Sequence, residues 1–195
     1  MDRLLIKFPG QVVAPGAIGA LPAPDRAGLR VYHADDRDET YALLPLPAGP
    51  DGLRAALRQR HPAATFVELA QTTDLAGEAA GQPAPWFYVV ETDVRPEAAE
   101  DFDRWYEEEH LPGLAAVPGT VSARRYVARD GSPRHYACYE LARRDAFGSP
   151  AWLAVRATGW SDRVRPNFIN TRRTMFRLAP DAAQTPEPAR QGRPI

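Results

Sequence analysis

An α+β chain built from two tandem βαββαβ units, the first lacking its first helix, is what this sequence predicts. Three observations carry the prediction. Residues 86–178 run strand, helix, strand, strand, helix, strand by composition and periodicity. Residues 1–75 repeat that order with a Gly/Pro-rich loop in place of the first helix. Between them "LAGEAAGQPAP", residues 75–85, has almost no bulky apolar residue and reads as a linker. The expected organisation is therefore a degenerate ferredoxin-like unit at 1–75, a linker at 76–85, a ferredoxin-like α+β unit at 86–178 and a flexible tail at 179–195.

In the first unit "LLIKF" is a strand, and "PGQVVAPGAIGALPAPDRAG" carries too many Gly and Pro for a helix. "LRVYHA" and "TYALLPL" form a hairpin across "DDRDE", "GPDGLRAALRQRH" a helix, and "ATFVELAQTT" a strand. In the second unit "WFYVVETDV" is β-branched and aromatic, a strand over 86–94. "RPEAAEDFDRWYEEEH" follows as a helix, with Pro96 near its start and carboxylates in the first turn, where the helix dipole favours them. "VSARRYVARDGSPRHYACYEL" is two strands around a turn at "DGSP". "GSPAWLAVRATGW" is a helix with Ser149 as N-cap and Pro150 in its first position, and "NTRRTMFRL" (170–178) is the closing strand. Each such sheet carries its helices on one face and leaves the other bare. Two bare faces can pack within the chain or between chains, and a homodimer through the C-terminal sheets is expected.

The composition, 44% hydrophobic and 25% charged over 195 residues, is that of a soluble globular protein with a real core. A formal net charge of −1 gives no electrostatic footprint for nucleic acid. No stretch approaches the roughly 20 apolar residues of a membrane span, and the apolar run before Pro9 is too short for a signal-peptide core. Cys138 is the single cysteine, so no intrachain disulfide forms, a reducing cytoplasm is the expected location, and the thiol reads as buried and inert. All basic residues but Lys7 are Arg, which we read as GC-rich coding rather than a role for Lys7.

"DFDRWYEEEHLPGL", residues 101–114, concentrates the chemistry. Phe102, Tyr106 and His110 lie at i, i+4 and i+8 on one helical face with Ala99, while Glu107 and Glu108 project toward water and Trp105 flanks the stripe. His110 is thus either a general acid or base at the end of an apolar face, or a cation satisfying carbonyls in the last turn before Pro112. Tyr106 can hydrogen-bond a substrate oxygen and Trp105 can stack on an aromatic ring. In this sheet plan the segments "SARRYVAR" and "TRRTMFR" are edges, where Arg discourages stray pairing. Alternation sends Arg124 and Arg125 to opposite faces; one that is covered needs an acid, Glu91 or Glu140 being available, or an anionic ligand. Trp160, Arg163, Asn167 and Phe168 precede the last strand as a lid or as packing. His33, His61 and His135 have no metal-ligand spacing, and no phosphate-binding glycine motif occurs, so neither metal nor nucleotide is expected.

Two stretches, "FDRWYEEEHLPGLAAVPGTVSARRY" and "WSDRVRPNFINTRRTMFRL", resemble the dimeric α+β barrel superfamily, in particular its EthD-like and related small members. The resemblance spans residues 86–178 and implies a dimeric-α/β-barrel-type architecture with a pocket. Members include cofactor-free monooxygenases, polyketide cyclases, lactone isomerases, dehydratases and haem-dependent enzymes, so the fold does not select one reaction. In similar members a His-x-Pro segment lies beside the pocket, as His110-Leu111-Pro112 would here. The expected function is an enzyme without cofactor acting on a small aromatic or polyketide-like molecule. His110 moves a proton, Tyr106 orients or polarises an oxygen, and an Arg steadies enolate charge. Trp105, Phe102, Arg124, Arg125, Trp160 and Asn167 complete the candidate set. A binding protein for a hydrophobic metabolite or haem, and a structural pseudo-dimeric partner with a filled core, stand beside it.

Overall fold

The computed structural model describes residues 1–18 and 28–180; part of the first loop and nearly all of the expected tail lie outside the described residues. The N-terminal half runs β1 (Arg3–Pro9), a 3-10 turn (Pro15–Ile18), β2 (Arg30–Ala34), β3 (Glu39–Pro45), α1 (Asp51–Arg60) and β4 (Thr65–Ala76). The C-terminal half runs β5 (Trp86–Val94), α2 (Ala99–Trp105), a π-helical turn (Tyr106–His110), α3 (Leu111–Ala115), β6 (Thr120–Ala128) and β7 (His135–Leu141), then α4 (Pro150–Arg156), α5 (Gly159–Val164) and β8 (Phe168–Leu178). Ser149 caps α4 as its position suggested, its hydroxyl accepting from the Trp152 amide at 3.2 Å. The single helix expected over 148–160 is two: Thr158 accepts from the Ser161 amide at 3.0 Å and starts α5 afresh. Ala179, assigned to the tail, is buried, and its amide donates to the Val31 carbonyl at 2.8 Å.

Each half forms a four-stranded antiparallel sheet, β4-β1-β3-β2 and β8-β5-β7-β6, with the predicted strands at its edges. Those edges are not open. β2 pairs with β8 and β4 with β6, so the two sheets close into one eight-stranded barrel within the chain. Period-2 alternation then sorts the side chains. Phe87 and Val89 of β5, Tyr126 of β6, Tyr136 and Cys138 of β7 and Phe176 of β8 point into the barrel with Leu5, Tyr32 and Tyr41. Tyr88 and Val90, Ala123, Ala137 and Tyr139, and Met175 point outward beneath α2–α5. A second, largely aliphatic cluster covers the N-terminal sheet beneath α1.

Closure corrects the reading of the edge arginines as guards against pairing. Arg124 faces the barrel interior and donates to Glu140 and to Asp74, both at 2.8 Å. Arg172 and Arg37 both meet Glu39, whose carboxylate is buried. The lone lysine also has a place. Lys7 lies inside the barrel, donates to Glu91 and, at 3.2 Å, to the Tyr136 hydroxyl, while Tyr41 donates to the same Glu91. Among the described residues no helix is long and apolar enough to cross a membrane.

Candidate active site

The segment from Ala99 to Ala115 winds as one continuous rod with a widened turn in its middle. Pro112 has no amide hydrogen, and its ring crowds the carbonyl four residues back, so an ordinary α-helix cannot pass through it unchanged. Here the turn before it opens to five residues: the Leu111 amide donates to the Tyr106 carbonyl. The helix therefore does not end at His110, and the expectation of a protonated His satisfying terminal carbonyls is overturned. The wide turn has a second consequence. Trp105 and His110, five apart, become neighbours one turn above another, and their rings stack at 4.0 Å with 20° between planes. Tyr106 meets His110 edge-on at 5.4 Å.

Phe102, Tyr106 and His110 all point at the sheet, at 0%, 3% and 7% exposure. Between them, the outer face of β5 and β7, and α4 lies a narrow cavity of about 30 Å³. Aromatic rings make most of its wall: Trp105, Tyr106 and His110 from the rod, Tyr88 and Tyr139 from the sheet, Trp152 from α4 and Phe168 from the start of β8. Gly113 sets its width. A Cβ there would come within 2.8 Å of a Val155 methyl, so the absence of a side chain lets α3 and α4 close together. Arg156, Arg165 and Arg173 complete the lining, and no carboxylate takes part in it.

Four polar atoms of these walls are buried without a hydrogen-bond partner: His110 Nδ1, Trp105 Nε1, Tyr139 Oη and Trp152 Nε1. Buried polar groups are nearly always satisfied, so these four atoms are free to take a water or a ligand. Burial, aided by the charges of Arg156 and Arg165, lowers the His110 pKa to about 3. The imidazole is neutral at physiological pH, an acceptor rather than an acid. Burial pushes the Tyr106 phenol up to about 12, so its hydroxyl stays protonated and can donate.

The other candidates are dispersed. Phe102 packs edge-on to Tyr106 at 5.0 Å and Phe168 at 5.2 Å, behind the cavity wall. Arg125 is also behind it, 4.4 Å over the Tyr106 ring and ion-paired with Asp103 at 2.8 Å. Arg124 is on the opposite side of the sheet, inside the barrel. Trp160 donates to Asp101 at 2.9 Å, and Asn167 donates to the Arg163 carbonyl at 3.1 Å; neither lines the cavity. Sequence reasoning missed Tyr88, Tyr139, Trp152, Arg156, Arg165 and Arg173. Alternation along "WFYVV" and "TRRTMFR" could have put Tyr88 and Arg173 on the helix-covered face, but no local signal joins these to α4. Among the described residues no cluster of His, Cys, Asp and Glu could hold a metal ion.

No protein-family model matches the chain, and no curated protein matches it with significance. Solved structures do. A candidate monooxygenase from Fusobacterium nucleatum superposes with a TM-score of 0.63 at 11% identity, covering 92% of each chain. A mutant chlorite dismutase from Candidatus Nitrospira defluvii gives 0.59 at 12% identity, covering 92% of this chain and 91% of its own. An anthrone oxidase-like protein gives 0.57 at 16% identity, again covering 92% and 91%. At such identities the likeness is one of fold: the dimeric α+β barrel, ferredoxin-like architecture, here closed within one chain.

Proposed function

We propose that the chain is an enzyme acting on a small aromatic or polyketide-like molecule held in the His110 cavity, within the EthD-like and related branch of this fold. The observation that carries the reading is the enclosed, unpartnered imidazole at the end of an aromatic cavity. A neutral imidazole accepts a proton from an acidic C–H or O–H of the substrate, and the Tyr106 hydroxyl donates to the oxygen on which negative charge grows. The proton then returns from imidazolium to another atom of the same anion, or to a departing hydroxyl. Isomerisation, cyclisation, dehydration and lyase chemistry share that core, and cofactor-free oxygenation is the variant in which the anion meets oxygen. The likeness to an anthrone oxidase-like protein is in keeping with a flat, hydroxylated substrate.

A haem, the alternative ligand implied by the sequence resemblance, does not suit these residues. The His110 ring is pinned flat on Trp105, and the cavity as it stands measures about 30 Å³, so an organic ligand enters it only by parting α4 from the rod. A porphyrin with its propionates would have to part these elements much further than two or three fused rings would.

The test is a thermal-shift and turnover panel of naphthols, anthrones, phenolic acids and lactones on wild type, His110→Gln and Tyr106→Phe. A ligand at a hundred times its dissociation constant adds about 2.7 kcal/mol, a shift of roughly 5–11 °C for a chain of this size. The expected result is one chemical class that stabilises all three proteins and is turned over about 10²–10⁴-fold more slowly by His110→Gln. Unchanged turnover in that variant, or no compound that binds, would overturn the reading.

A further inference from the structure

The cavity's charge is as distinctive as its aromatic wall. Arg156 ends α4, Arg165 follows α5 and Arg173 sits on the outer face of β8 opposite Val90. The three come from different elements and converge on one space, where Arg156 and Arg165 are half-buried and Arg173 stands exposed at the edge. Among the described residues none of them lies within ion-pair distance of a carboxylate, whereas Arg124, Arg125 and Arg172 each do. The one contact found is to a neutral group: Arg165 Nη1 donates to the Arg156 carbonyl at 3.4 Å. Crowding cations in partly buried space without an acid is costly, and proteins tolerate it where a ligand supplies the missing charge.

We propose that Arg156, Arg165 and Arg173 form an anion subsite of this cavity and that its aromatic ligand carries a carboxylate. The inference rests on the cavity being the substrate site. The planar fork of a guanidinium matches a carboxylate through paired hydrogen bonds, and two forks on neighbouring elements fix the orientation of a flat ring between them. The aromatic part then lies along Tyr88, Trp152 and Trp105, with the anion held toward α4 and β8. A consequence reaches His110. The charged or titratable groups facing it from the packed elements are Arg156, Arg165, Arg173, Tyr88, Tyr106 and Tyr139. Arg156 and Arg165 are among the causes that hold its pKa down. A bound carboxylate offsets them, so the imidazole becomes a stronger base once substrate is seated.

The experiment is calorimetric titration of the full chain with 1-hydroxy-2-naphthoate and with its methyl ester, at two salt concentrations. The acid should bind at least about tenfold more tightly than the ester, and more weakly as salt rises. In Arg156→Gln/Arg165→Gln the affinity for the acid should fall about 10- to 100-fold while that for the ester holds. Equal affinity for acid and ester, or a variant that weakens both alike, would overturn the proposal. A second measurement needs wild type only. By NMR the His110 pKa should rise when the acid binds and stay put when the ester binds; no difference would contradict the subsite. If neutral naphthols are turned over in a His110-dependent way while the acid has no advantage, the catalytic reading stands and this one falls. If neither compound binds and no phenol is turned over, both fall.

Discussion

Inside the barrel Lys7 meets Glu91, Arg124 meets Glu140 and Arg172 meets Glu39, while Arg3 at its mouth keeps a buried guanidinium nitrogen without a partner. On the outer face of the same C-terminal sheet, three arginines gather around a cavity whose lining holds no carboxylate. The two regions share strands, and adjacent residues serve both: Arg172 looks in and Arg173 looks out. What separates them is compensation. Paired charges fill and register a closed barrel, while the uncompensated charge beside a buried, unpartnered imidazole is what the proposed ligand would meet. The same contrast holds for the two tyrosine populations. Tyr41 and Tyr136 share hydrogen bonds with Lys7 and Glu91, but the Tyr139 hydroxyl at the cavity has no partner.

The contrast breaks if the interior pairs prove dispensable. Glu91→Ala leaves the Lys7 ammonium and the Tyr41 phenol without their acceptor in the barrel. Removing one partner of a buried pair costs about 3–5 kcal/mol, or a fall in Tm of roughly 6–20 °C for a chain of this length. Thermal unfolding would read it directly, and a change under about 2 °C would mean the pair does not hold the barrel.

At the cavity the expected signature is pH dependence. His110 has a folded pKa lowered from 6.5 to about 3, so between those values the unfolded chain binds a proton that the folded one refuses. Its contribution is fully present above pH 6.5 and is lost as pH falls toward 3. Wild type should therefore lose up to about 1.4 kcal/mol per pH unit more than His110→Gln in that window. Parallel stability profiles for the two proteins would show that the imidazole titrates normally.

The smallest expected effect is the most diagnostic of the comparison. Arg156→Gln removes a cation that repels its neighbours and pairs with no acid, so folding stability should stay within about 0.5 kcal/mol of wild type or rise slightly. Denaturant unfolding would show it. A loss above about 1 kcal/mol would place Arg156 among the structural charges, with those of the barrel.

Much of this architecture was legible beforehand because it is written in local patterns. Alternation in "WFYVVETDV" and the Ser149-Pro150 start of α4 are short-range signals, and the order of elements then fixes which strands lie at the edges. The spacing of Phe102, Tyr106 and His110 correctly turned His110 toward the sheet. What spacing could not supply was the π-helical turn. Counting at 3.6 residues per turn leaves Trp105 beside the stripe, whereas the accommodation of Pro112 sets it against His110. The arginines were hidden for a different reason. Arg156, Arg165 and Arg173 come together only when α4 and α5 fold back over β8, a tertiary event with no sequence period. Arg124 and Arg125 stood out in the sequence because they are adjacent, and one of them ended in the barrel and the other behind Tyr106.

The most direct test of the His110 cavity as a carboxylate-binding site is a crystal structure of the protein soaked with 1-hydroxy-2-naphthoate. Density for the ring is expected between Trp105, Tyr88 and Trp152, with its carboxylate against Arg156 and Arg165 and its hydroxyl toward Tyr106 and His110. Density instead at the barrel mouth among Arg3, Arg30 and Arg124, with the His110 cavity empty, would contradict it.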